Sequence, residues 1–143
     1  MEDDHHGGGI DSASPSIVSE TADRLKQRTM RFALDVCALI RDLSAFEPGP
    51  TAQRQLARAA TGVAFNYRAT CRARSHAEFT ARMAIVAEEA DESQGWLEFI
   101  EAGELMKSET LTRLIGEASE LAAITSAAYG TARANEQHRR RRP

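Results

Sequence analysis

An all-α, antiparallel up-and-down four-helix bundle with disordered N- and C-terminal tails is the fold class that the sequence predicts, on three observations. Aromatic residues make up only 6% of the 143-residue chain and alanine is abundant, a balance that favours helices over strands. Glycine and proline are few inside the middle of the chain, so long uninterrupted segments can form. Apolar residues there recur at spacings of three and four, the period of one helix face. A hydrophobic fraction of 42% with 27% charged residues suits one globular domain with flexible ends. Residues 1–20 are expected to form a disordered tail, 21–135 the bundle, and 136–143 a basic tail. No apolar run approaches the ~20 residues that span a bilayer, and the first residues lack the basic-then-apolar order of a secretory leader. A cytoplasmic protein without membrane contact is the expectation.

The first helix is expected from about Ala22 to Leu43, with Leu25, Phe32, Val36, Leu39, Ile40 and Leu43 inward and Lys26, Arg28, Arg31, Arg41 and Asp42 outward. Glu47-Pro48-Gly49-Pro50 stops it, because neither proline continues a helical ladder. The second helix runs from about Thr51 to Arg72 and turns Leu56, Ala59, Ala60, Val63, Asn66, Tyr67 and Thr70 inward. Asn66 on that stripe needs an internal hydrogen-bond partner and can fix helix register.

Ser75-His76-Ala77-Glu78 has the form of a capping box: Ser75 accepts from the Glu78 amide and the Glu78 side chain reaches back. Phe79, Met83, Val86, Ala90, Ser93, Leu97 and Ile100 then mark the seam of the third helix. Ile85, Trp96 and Phe99 form a second, adjacent apolar face, which either widens the monomer core or meets another subunit. Gly103 is placed to end this helix in the left-handed conformation. Ser108 or Lys107 opens the fourth, with Glu109 at the positive end of its dipole and a buried stripe from Leu111 through Leu114, Ala118, Leu121 and Thr125 to Tyr129. Past Ala134 the pattern fades into Arg139-Arg140-Arg141-Arg142, where like charges should keep the chain extended.

Neither cysteine belongs to a zinc or Cys-x-x-Cys redox pattern, and Cys37 and Cys71 read as small packed hydrophobes. His5 and His6 stand without further ligands, so no metal and no cofactor is expected.

The net charge of −3 gives no whole-molecule sign of nucleic-acid binding, but the charge is segregated. Residues 51–82 hold six arginines against Glu78, whereas residues 88–120 hold ten carboxylates against Lys107 and Arg113. In a hairpin turning near Arg74, residue i of the second helix lies level with about residue 149 − i of the third. Arg58 then meets Asp91, Glu88 and Glu92, and Arg54 approaches Glu92 and Glu98. Arg68, Arg72 and Arg74 sit nearer the turn, where fewer acids are available, and are the candidate nucleic-acid contacts together with Arg139, Arg140, Arg141 and Arg142.

Asn66-Tyr67-Arg68-Ala69-Thr70-Cys71-Arg72-Ala73-Arg74-Ser75, Glu78-Phe79, Val86-Ala87-Glu88-Glu89-Ala90-Asp91-Glu92 and Trp96-Leu97-Glu98 together resemble the bacterial four-helix-bundle proteins of the 23S rRNA intervening-sequence type. The likeness covers about residues 22–135. It implies a bundle that commonly assembles into a ring-shaped homopentamer, with no established catalytic activity. A relative in the same superfamily is the accessory variability protein of diversity-generating retroelements, which works beside a reverse transcriptase and binds nucleic acid through a basic surface. RNA, ribonucleoprotein or a reverse transcriptase are the partners the resemblance implies. Two departures stand out: the chain is acidic overall, and the stretch that reads like Ile-Ala-Glu-Gly in the wider family is Tyr67-Arg68-Ala69-Thr70 here.

Two other classes compete with a nucleic-acid scaffold. A protein-interaction scaffold would use the same arginines only for pairing. A magnesium-dependent nucleoside triphosphate pyrophosphohydrolase would use the Glu88-Glu92 cluster, which fits a Glu-Glu-x-x-Glu pattern, but the downstream Glu-x-x-Asp that chemistry needs is missing. The expectation is a protein that is not an enzyme.

Overall fold

The structure, a computed structural model, describes residues 15–143. Most of the tail expected over residues 1–20, His5 and His6 included, lies outside the described residues, and from Pro15 the chain is already helical. Four helices and no strand make up the described residues: α1 (Pro15–Ile40), α2 (Gly49–Thr70), α3 (His76–Ala102) and α4 (Glu109–Arg140). Each helix packs on its neighbours in the chain, and α1 closes the bundle against α4. Arg28 reaches Glu117 and Glu120, while Asp35, further along α1, reaches Arg113, earlier in α4. The two helices therefore run in opposite directions.

The apolar stripes meet in two clusters. The larger joins Phe32, Val36, Leu56, Leu97, Ile100, Leu111, Leu114 and Leu121, among others, at the end formed by the α1–α2 and α3–α4 connections. The smaller, around Val63, Tyr67, Met83, Val86 and Ala90, lies toward the α2–α3 turn. Thr29, Thr70, Thr80, Ser93 and Thr125 are buried as well, and each hydroxyl donates to a carbonyl one turn back in its own helix, at 2.7–3.0 Å. These five buried hydroxyls are thus all paired.

Several helix ends differ from the pattern-based boundaries, each for a physical reason. α1 stops at Ile40, not Leu43, where the Gln53 side-chain amide donates to the Ile40 carbonyl at 3.0 Å and the chain tightens into a turn. α2 starts at Gly49, so Pro50 is inside its first turn, where a missing N–H costs nothing. Gly103 has φ −79°, and the left-handed residue is Glu104 at φ 55°. Glu104 N–H donates to Glu101 O at 3.1 Å and Leu105 N–H to Ile100 O at 3.0 Å, the paired bonds of a Schellman ending. α4 continues to Arg140 instead of fading at Ala134. Arg140 pairs with Glu136 one turn earlier, and cations in the last turn complement the helix dipole. The 136–143 segment is therefore mostly helix, not an extended tail.

Candidate nucleic-acid interface

The α2–α3 turn fixes the site. Ser75 caps α3, its hydroxyl accepting from the Glu78 amide at 3.0 Å. The Glu78 side chain reaches back one residue further than a capping box requires, accepting from Arg74 N–H at 2.9 Å, and also takes Arg82 Nε at 3.0 Å. Those two donors hold its carboxyl below the usual carboxylate range. Arg74 therefore starts the α3 cap with its backbone and leaves its guanidinium outward.

Arg68, Arg72 and Arg74 are exposed, and none forms an ion pair among the described residues. With Phe65, Glu78 and Arg82 they line a cleft of about 590 Å³ between α2 and α3. Arg68 also borders a second cleft of about 840 Å³, shared with Arg24, Gln27, Arg31 and Leu34 of α1. Phe65 had no part in the sequence-based site. It stands one turn before Arg68 on the outward face of α2, where no apolar period marks it.

Away from the turn Arg28 and Arg58 are engaged across helices. Arg58 pairs with Glu92 and lies 3.7 Å from Glu89, which takes the place expected for Glu88. Arg54 does not reach Glu92 or Glu98; its guanidinium is 3.5 Å from the Thr51 hydroxyl on its own helix. Arg28 was expected to face solvent but turns onto α4, bonding Glu117 at 2.7 Å and also Glu120. Burial and repulsion from Glu92 push the Glu89 carboxyl up, and its buried Oε2 has no hydrogen-bond partner. Among the described residues no group of three His, Cys, Asp or Glu side chains is placed to hold a metal ion.

Packing adds a second set of cations at the same end. His76 Nε2 lies 2.9 Å from the Ala132 carbonyl, so α4 passes the α2–α3 turn there and carries Arg133 and Arg139–Arg142 beyond it. Residues 66–85 and 127–143 together hold nine arginines and two glutamates. The opposite end, residues 40–54 and 98–113, holds six carboxylates and four cations. The two arginine groups that lie far apart in sequence are thus brought to one end of the bundle.

The remaining singled-out residues have local roles. Asn66 is half-buried and donates to the Gly62 carbonyl of its own helix at 2.8 Å, so its partner is not on a neighbouring helix. Trp96 packs against the larger core cluster and meets Phe99 edge-on at 5.3 Å, while Ile85 and Phe99 stay exposed. Cys71 is exposed, because it lies at the cap beyond the last turn of α2; Cys37 is half-buried. Burial and contact with Cys71 push the Tyr67 hydroxyl up, so it stays protonated.

Fold and charge define a class: a four-helix bundle without a metal cluster among its described residues, carrying unpaired arginines at one end. The chain belongs to the family of 23S rRNA-intervening sequence proteins, whose pattern it matches over residues 23–127. Among solved structures it is similar to a protein of unknown function from the S23 ribosomal protein family of Bacteroides thetaiotaomicron. That likeness has a TM-score of 0.67 at 22% identity and covers 76% of this chain and 97% of the other, a shared fold. No curated protein matches the sequence. No helix among the described residues is long and apolar enough to cross a membrane.

Proposed function

We propose that this protein is a non-enzymatic, homo-oligomeric scaffold that associates with RNA or a ribonucleoprotein through the arginine-rich end of its bundle. One observation carries the reading: Arg68, Arg72, Arg74, Arg133, Arg139, Arg141 and Arg142 share that end and have no carboxylate partner among the described residues. Elsewhere Arg28 and Arg58 are neutralised within the fold, and the cations without a carboxylate partner among the described residues are concentrated at this end, where phosphate could meet them. Exposed Leu34, Ile85 and Phe99 support self-association, and the pentamer is the assembly the family resemblance implies. The Glu88–Glu92 segment gives a pyrophosphohydrolase little support, since Glu89 and Glu92 both face Arg58.

Titration of a labelled structured RNA across a salt series tests the reading, with full-length protein compared against a chain ending at Asn135. Binding that falls steeply with salt and survives truncation supports contacts on the bundle. Loss on truncation assigns them to Arg139–Arg142, and no binding at low salt removes the nucleic-acid role. In that last case a protein-interaction scaffold is the better reading, favoured by the exposed apolar pair Ile85 and Phe99. Light scattering of the same samples counts the copies.

A further inference from the structure

We infer that the α2–α3 cleft takes an unpaired nucleic-acid segment, with one base stacked on Phe65 and the neighbouring phosphates on Arg68 and Arg72; this rests on the nucleic-acid reading above. Phe65 is 59% exposed, a large apolar ring left in water beside four arginines. Phe65, Arg68 and Ala69 share one face of α2, and Arg72 follows in the turn just past the Cys71 cap, so that all four line the cleft. Ala69 is small and leaves the space between the ring and the two guanidinium groups open. A ring face flanked by one cation on the helix and another in the turn after it suits a single strand, whose bases are free to stack and whose phosphates follow at the side. A duplex hides its base faces, so Phe65 would meet only sugar and phosphate there.

Glu78 sets a limit on the same cleft. Its carboxylate already occupies Arg74 N–H and the Arg82 guanidinium, the position that a second phosphate would otherwise take. Arg68, Arg72 and Arg74 therefore keep free guanidinium groups, and Arg82 is held back by an acid of its own chain.

Fluorescence anisotropy of a short unstructured RNA, alone and annealed to its complement, tests the inference on full-length protein. Single-strand binding should be the tighter, and Phe65→Ala should weaken it by roughly 5- to 150-fold while leaving the salt slope unchanged. Phe65→Trp should retain it. Arg72→Ala should lower the slope by about 0.7, and Glu78→Gln should raise affinity by freeing Arg82. A parallel titration with the DNA strand of the same sequence shows which sugar the cleft accepts, and a Phe65→Ala loss with either strand supports stacking. Helical circular dichroism confirms that each variant is folded. Salt-sensitive RNA binding that is indifferent to Phe65→Ala, or equal for strand and duplex, overturns the stacking cleft and leaves the broader reading standing. Absence of any RNA binding by the unaltered protein overturns both.

Discussion

At the end of the bundle built from the 41–48 and 103–108 connections, the helix ends are closed by the chain itself. Gln53 caps α1, Ser108 caps α4 by accepting from Leu111 N–H at 3.0 Å, and the Schellman bonds close α3 over a dense aliphatic core. At the α2–α3 turn the core is smaller and the backbone is equally well capped, yet Arg68, Arg72 and Arg74 have no carboxylate partner among the described residues. The first end is organised by backbone geometry and the second by unneutralised charge. Stability should therefore respond mainly to changes at the first, and binding mainly to changes at the second.

The sharpest way to break that contrast is Gly49→Ala. A Cβ at position 49 would sit 2.1 Å from the Ser44 carbonyl oxygen, so the α1–α2 connection must move. Alanine's better helix propensity does not offset the clash, and chemical denaturation should show a loss of about 2–3 kcal/mol. Glu104→Gly acts at the same end in the opposite sense. Relieving a non-glycine residue at φ 55° should stabilise by about 1 kcal/mol in the same assay. Replacing Arg68, Arg72 and Arg74 together by alanine should change stability by no more than about 0.5 kcal/mol, because no ion pair is lost. RNA binding should nevertheless fall and its salt dependence flatten. A large stability loss in that variant would erase the distinction between the two ends.

The smallest expected effect is on pH dependence at the arginine end. Glu78 is held below the ordinary carboxylate range by Arg74 N–H and Arg82, so its contribution is fully present above that range and is lost as pH falls from it through the group's own lowered pKa. The difference in melting temperature between the unaltered protein and Glu78→Gln should shrink on acidification from about pH 6 to about pH 3. A difference that persists at the lower pH would show that Glu78 acts through its shape and not its charge.

Much of this architecture was legible in the residue pattern, because burial on a helix leaves a periodic trace. Val63, Val86, Leu97 and Leu114 all lie buried where the three-and-four spacing put them, and Ser75 and Ser108 both cap the helices they precede. What the pattern missed depends on contacts between helices. The α1 terminus is set by a glutamine thirteen residues later, and the orientation of Arg28 by two glutamates on α4. The left-handed turn fell on Glu104 because the Schellman bonds, not glycine's freedom, chose its position. Of the site, Arg68, Arg72 and Arg74 were legible from the thinning of acids toward the turn. Phe65 was not, since an outward aromatic has no period of its own, and the approach of Arg133 and Arg139–Arg142 required the α3–α4 contact at His76.

That contact leaves roughly eight residues of α4 projecting beyond the His76–Ala132 bond, about 12 Å of rod at 1.5 Å per residue. A flexible tail of the same composition would be free to fold back toward the bundle's own carboxylates. A rod cannot bend that way without melting, so its cations stay at a fixed reach from the bundle. Successive side chains are also spread around the rod's circumference, so its arginines point outward in several directions.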